Sequence, residues 1–191
     1  LLASVRAMGT RESVESKKER LREVAGLCEG QLRDVDGAVS AWRQLIALDR
    51  SDESARNALL RLLERSNRFD DIAKLLEQEA TIETDIETKI SLEKKLARLQ
   101  EDKRKDLVGA AEAWGRIARL QPEAEIPIAT ASKLYERADK LDLAAQVIAE
   151  TAPLVEDPMA RGNLFERLAQ LRETMGELVS AGESYAEAAK A

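Results

Sequence analysis

Residues 36–50 read DGAVSAWRQLIALDR and residues 108–122 read VGAAEAWGRIARLQP, an echo 72 residues apart. Ala38, Ala41 and Trp42 fall on Ala110, Ala113 and Trp114, and a weaker copy, VSAGESYAEAAKA, closes the chain with Ala181 and Tyr185. Self-similarity at a fixed period restricts a chain to architectures in which each unit packs on its neighbours. A second pair, residues 62–80 and 134–152, shares the same offset, so the long period holds two related units.

The apolar residues inside these units recur at helical spacing. Val24 and Leu27 precede Ala38, Trp42, Leu45 and Ile46; Leu96 and Leu99 precede Ala110, Trp114 and Ile117. A period of 3.6 residues on both sides of a short polar turn predicts helical hairpins, and no segment alternates as a strand would. Turns are expected at Asp34–Gly37, Ser66–Asn67, Lys103–Asp106, Asp139 and Gly176, with Pro122, Pro127, Pro153 and Pro158 between helices. Ser51 or Asp52 is placed to cap the helix that follows. The hairpins then span roughly 13–49, 53–81, 87–120, 125–152 and 160–190, with residues 1–8 as an orphan helix. The small or apolar position that recurs in each second helix is Ala38, Ile72, Ala110, Ala144 and Ala181, at spacings of 34, 38, 34 and 37. Two spacings exceed the others by about one helical turn. The extra turn is expected after the even hairpins, around Thr81–Ile90 and Leu154–Gly162.

With Leu168, Ala169, Leu171, Gly176, Ala181 and Tyr185 in the last unit, and Leu96, Leu99, Ala110, Trp114 and Pro122 in the third, the chain resembles the tetratricopeptide-repeat (TPR) family. The resemblance implies an all-α fold: a right-handed α-solenoid of about five TPR-like helical hairpins plus the orphan N-terminal helix. Residues 1–191 would form one array, a piece of a longer protein. It further implies a protein-interaction scaffold that holds a peptide, a helix or a sister domain along its surface. Carried onto the first helix of each hairpin, the solvent-facing positions are Arg22, Gly26 and Glu29; Asn57, Arg61 and Glu64; Lys94, Arg98 and Glu101; Ala129, Lys133 and Glu136; and Glu166, Gln170 and Glu173. A basic residue three before the glutamate, at Arg61, Arg98 and Lys133, reads either as the basic centre of a groove for an acidic or polar segment, or as ordinary i,i+3 surface pairing. Asn57 and Lys94 alone do not rebuild the family's clamp for a C-terminal carboxylate. A half-TPR-like module of an RNA-processing assembly and a regulatory arm of an enzyme lying outside this segment are the alternatives.

Composition narrows the function further. The chain has no histidine and one cysteine, so Ser-His and Cys-His dyads and the commonest metal ligand are missing. No phosphate loop, metal spacing or nucleophile elbow appears, and the expectation is no enzyme, no cofactor and no metal. Cys28 is expected as a buried, inert thiol. With Lys+Arg 30 and Asp+Glu 36 interspersed, the net charge of −6 argues against a nucleic-acid surface. The basic knots at Lys17–Lys18 and Lys103–Arg104–Lys105 are diluted by Glu19, Glu101, Asp102 and Asp106. No apolar run approaches the length of a membrane span, and a cytoplasmic location is the expectation. Leu1, Leu2 and the Ala186–Ala189 helix, at the ends of the array, are expected to support self-association.

Aromatics make up 3% of the chain, so alanine and leucine must do most of the packing, with Trp42 and Trp114 as wedges between helices rather than stacking platforms. Trp114→Ala should therefore cost on the order of 3–5 kcal/mol in urea denaturation. A loss below about 1 kcal/mol would put that tryptophan on the surface.

Overall fold

Ten α-helices and no strand occupy residues 13–191, the part of the chain that the computed structural model describes. The orphan helix expected over residues 1–8, with Leu1 and Leu2, lies outside the described residues. The helices are α1 (Val14–Leu27), α2 (Val35–Leu48), α3 (Glu53–Arg65), α4 (Phe69–Ile82), α5 (Ile86–Leu99), α6 (Leu107–Leu120), α7 (Glu125–Arg137), α8 (Leu141–Thr151), α9 (Pro158–Thr174) and α10 (Leu178–Lys190). The all-α class is thus the one the sequence announced. Two compact units divide at Arg68 and Phe69, so α1–α3 belong to the first and α4–α10 to the second.

The reversal inside each hairpin is made in one way. A single residue adopts a positive φ, at Arg33 (52°), Asn67 (53°), Lys105 (56°), Asp139 (57°) and Gly176 (80°). This left-handed step points the chain back while leaving helix-end carbonyls reachable. In three turns the next residue's N–H reaches five residues back, from Arg68 to Leu63 O, Lys140 to Tyr135 O and Glu177 to Arg172 O, each within 2.9 Å. The turns of the first and third hairpins hold one residue more. There the bond reaches six back, from Asp34 to Cys28 O and from Asp106 to Gln100 O, both 2.9 Å. The added residue is taken up as a π-helical turn, Cys28–Leu32 and Gln100–Arg104, at the end of α1 and of α5.

Aspartates start many of the helices. Asp34, Asp52, Asp85, Asp106 and Asp157 each accept a hydrogen bond from a backbone N–H three residues on, at 2.7–2.9 Å, which satisfies a donor that the first turn leaves open. Gly37 and Gly109 follow from this. A Cβ there would come within 2.3 Å of Asp34 Oδ2 and 2.6 Å of Asp106 Oδ2, so a side chain would eject the cap. Two prolines depart from the expected placement: Pro127 stands in the first turn of α7 and Pro158 at the first residue of α9. Both positions have no intrahelical use for an N–H, so proline fits inside the helix there rather than between helices.

Alanine lets the helices approach. Ala38, Ala110 and Ala144 are fully buried and Ala181 nearly so, each five residues after its turn's left-handed residue. In the first unit Leu21, Ala25, Ala41, Leu45 and Ala55 form one core, with Trp42 and Ile46 packed against it. In the second unit a larger core joins Ala110, Ile128, Leu134, Ile148, Leu164 and Leu168, with Trp114 packed on its flank. Of the extra turns expected after the even hairpins, the second takes the form of a longer first helix, α9 at 17 residues against 13 for α3 and α7; α5 has 14 residues and runs on into the π-helical turn Gln100–Arg104.

The connection after α2 carries the strongest acid. Asp49 accepts hydrogen bonds from the Ser51 hydroxyl (2.6 Å), Lys18 Nζ (2.9 Å) and the Ser51 N–H (3.0 Å), which together lower its carboxyl from 3.8 to about 2. A depressed carboxyl stabilises the fold above its unfolded value and loses that contribution as pH falls toward the folded one. Melting temperatures of the native protein should therefore fall between about pH 4 and pH 2 more steeply than those of Asp49→Asn. Parallel melting curves for the two proteins would show that Asp49 is not tied in solution.

Candidate functional site

The first helices carry the expected surface residues. In the first unit Arg22, Asn57, Arg61 and Glu64 are exposed, and Glu29 is half-buried in the π-turn after α1. In the second unit Lys94, Arg98, Lys133 and Gln170 are exposed, whereas Glu101 and Glu136 are half-buried.

Three of these glutamates face inward because an arginine of the following first helix claims them. Arg65 Nη2 donates to Glu29 Oε2 at 2.7 Å, and Trp42 Nε1 donates to the other oxygen at 2.8 Å. One long period later, Arg137 Nη1 donates to Glu101 Oε1 at 2.8 Å. Arg167 bridges Glu136 and, at 3.2 Å, Gln170 Oε1. The i,i+3 pairing expected at Arg61–Glu64, Arg98–Glu101 and Lys133–Glu136 is thus corrected. Glu101 and Glu136 reach across to the next first helix, and no pair joins Arg61 to Glu64 among the described residues. A partner fixed on another helix holds the carboxylate without competing for rotamers on its own helix.

That exchange leaves basic groups uncompensated. Arg61 lines a hollow of about 330 Å³ in the first unit with Glu29, Trp42, Ser54, Ala58 and Arg65. Lys94, Arg98 and Lys133 present their charge to solvent with no carboxylate partner among the described residues. Arg22 differs: its Nη2 donates to Asp52 Oδ2 at 2.6 Å, so it ties α1 to the cap of α3. The basic knots are likewise engaged. Lys18 pairs with Glu15 and Asp49, Arg104 pairs with Asp70 at 2.7 Å, and Lys103 lies 5.8 Å from the Phe69 ring.

A second charged arrangement, in the second unit, went unread in the sequence. Glu93 of α5 is buried and accepts two bonds from Arg116 of α6, from Nε at 2.8 Å and Nη2 at 2.9 Å. Burial opposes the charge on Arg116, but Glu93, with Glu112 and Glu77 near by, more than offsets it and holds the guanidinium proton above its ordinary affinity. The sequence held a signal: Glu93 stands 72 residues after Leu21, a core position in the first copy.

Cys28 is buried and free. Among the described residues no cluster of three or more His, Cys, Asp or Glu could hold a metal, and no helix is long and apolar enough to cross a membrane.

No protein-family model and no curated protein matches the chain. Among solved structures it is similar to MamA. One such structure is 14% identical over 92% of each chain with a TM-score of 0.41, and another is 14% identical over 87% of this chain and 93% of that one, also at 0.41. A third, MamA MSR-1 C2, is 16% identical over 91% of this chain and 95% of its own, with a TM-score of 0.39. Likeness of this degree carries no argument about what the chain binds.

Breaking the pair from the arginine side should be costly, because Glu93 itself is buried. Arg116→Met strands the Glu93 carboxylate and should lose about 3 kcal/mol in urea denaturation. The double variant Glu93→Leu/Arg116→Met should recover most of that loss. A single-variant loss below about 1 kcal/mol would mean that water solvates Glu93 in the folded protein.

Proposed function

We propose that the chain is a non-enzymatic interaction module whose first helices receive an acidic or polar segment of a protein partner. The observation that supports this reading is the partition of charge along those helices. The half-buried glutamates are neutralised by Arg65, Arg137 and Arg167, while Lys94, Arg98 and Lys133 stay exposed without a carboxylate. A surface arranged this way attracts carboxylates even though the chain as a whole carries −6. In the first unit the hollow beside Arg61, walled by Trp42, offers an apolar face next to a cation.

A fluorescein-labelled peptide of alternating Glu and Gly tests the reading by fluorescence anisotropy. The triple variant Lys94→Glu/Arg98→Glu/Lys133→Glu should weaken binding by about tenfold or more, roughly 1.4 kcal/mol, with the helical circular-dichroism spectrum unchanged. Equal affinity of variant and native protein would sink the proposal. A single-stranded RNA of the same length serves as the contrasting probe. Tighter binding to RNA than to the peptide, falling steeply with salt, would favour the RNA-processing reading instead.

A further inference from the structure

The second unit holds a cleft that the first-helix surface does not use. It opens between α6 and α8 with a volume of about 320 Å³. Each helix contributes one face at i, i+3, i+4 and i+7 spacing: 112, 115, 116 and 119 from α6, and 143, 146, 147 and 150 from α8. Tyr135 of α7 closes the floor. That side chain is only 8% exposed, and among the described residues no hydrogen bond engages its hydroxyl.

The charges in the cleft do not balance. Arg116 gives Nε and Nη2 to Glu93. Arg119 gives Nη2 to Glu150 at 2.7 Å, and Gln146 donates to the other oxygen of Glu150, also at 2.7 Å. Glu112 lines the same cleft with no hydrogen bond or ion pair among the described residues. Glu77 adds its charge from α4. Arg116 and Arg119 are thus each matched by one carboxylate, Glu93 and Glu150, and Glu112 is left over on the lining.

The internal repeat shows what is unusual here. Positions required for the fold match across 72 residues, among them the Asp34/Asp106 caps, Ala41/Ala113 and Trp42/Trp114. The cleft positions do not. Ser40, Arg43, Gln44, Ala47 and Leu63 of the first copy become Glu112, Gly115, Arg116, Arg119 and Tyr135. Where the first copy carries its own guanidinium, Arg43, the second carries a glycine among carboxylates. Packing does not demand that glycine, since an added Cβ would meet Val147 Cγ2 at 3.6 Å and Arg119 Nη1 at 3.9 Å, ordinary contact distances.

We infer that this cleft receives the basic side chain, a lysine or arginine, of a protein partner. The incoming cation pairs with Glu112, lies against the Tyr135 ring and meets its oxygen. In the free protein, burial first and then Glu112 raise the Tyr135 phenol above its ordinary value, against the pull of Arg119 and Arg116. This inference is independent of the acidic segment proposed for the first helices, because it concerns another surface and the opposite charge.

Titration of the ¹⁵N-labelled protein with the capped peptides Ac-GGRGG-NH2, Ac-GGKGG-NH2 and Ac-GGEGG-NH2, followed by amide chemical shifts, tests it. The basic peptides should shift the amides of Gly115, Gln146 and Val147 with millimolar affinity, and the acidic peptide should not. Glu112→Gln should weaken binding by about fivefold or more. Gly115→Arg, which restores the first copy's residue, should abolish binding while the rest of the spectrum keeps its dispersion. Lys94→Glu/Arg98→Glu/Lys133→Glu should leave the response intact. The inference is overturned if basic peptides give no shifts there at about 20 mM, if the acidic peptide shifts the same amides equally, or if Glu112→Gln binds as the native protein does.

Discussion

Everything in this fold is registered from one backbone event, the left-handed residue at which each pair of helices reverses. Arg33, Asn67, Lys105, Asp139 and Gly176 fix where the next helix begins, and the buried small or apolar residue that governs helix approach follows five residues later every time. Four of the five are not glycine, so the backbone accepts an unfavourable conformation at those positions. It is offset by the hydrogen bonds that the turn closes onto the preceding helix. The start of each second helix and the alanine seam both descend from that step.

On this frame the charged surface is sorted rather than scattered. Carboxylates near the ends of the first helices are drawn into pairs with arginines of the helix that follows, and these pairs recur with the long period: Glu29 with Arg65, Glu101 with Arg137. Each such pair is partly exposed and contributes little to stability alone. Its larger effect is on the field the surface presents, because cations that looked compensated in the sequence are left without their nearest carboxylate. The second unit adds the contrary case in the cleft of α6 and α8, where Glu112 has no hydrogen bond or ion pair among the described residues.

Much of the architecture was legible because it rests on local rules. The 3.6-residue period located the helices, and polar turn residues marked the reversals. The recurrence of Ala38, Ala110, Ala144 and Ala181 identified the seam. Side-chain partners were less legible, since spacing within one helix says nothing of the helix packed beside it. Glu101 has Arg98 three residues away in sequence, yet it bonds Arg137. The 72-residue offset between Arg65 and Arg137, matching that between Glu29 and Glu101, was the available clue. Glu93 was hidden for the opposite reason: it occupies a position where the repeat expects leucine, so periodicity reads it as core. The cleft lined by Glu112 and Tyr135 is assembled from three helices, and only the structure brings them together.

The π-helical turns at Cys28–Leu32 and Gln100–Arg104 separate chain length from packing register. One residue has been added to the first and third hairpins, yet Ala38 and Ala110 are as deeply buried as Ala144, which follows a turn without the addition. The slack is stored where the helix is already ending, so it is never transmitted to the seam. Such a site is a natural place for a repeat protein to gain or lose residues over its history without refitting its interior. Glu29 and Glu101 lie inside those turns and pair with an arginine of the next first helix, as Glu136 does from a hairpin without the addition. A length change confined to a turn has left both the core and this pairing as they were.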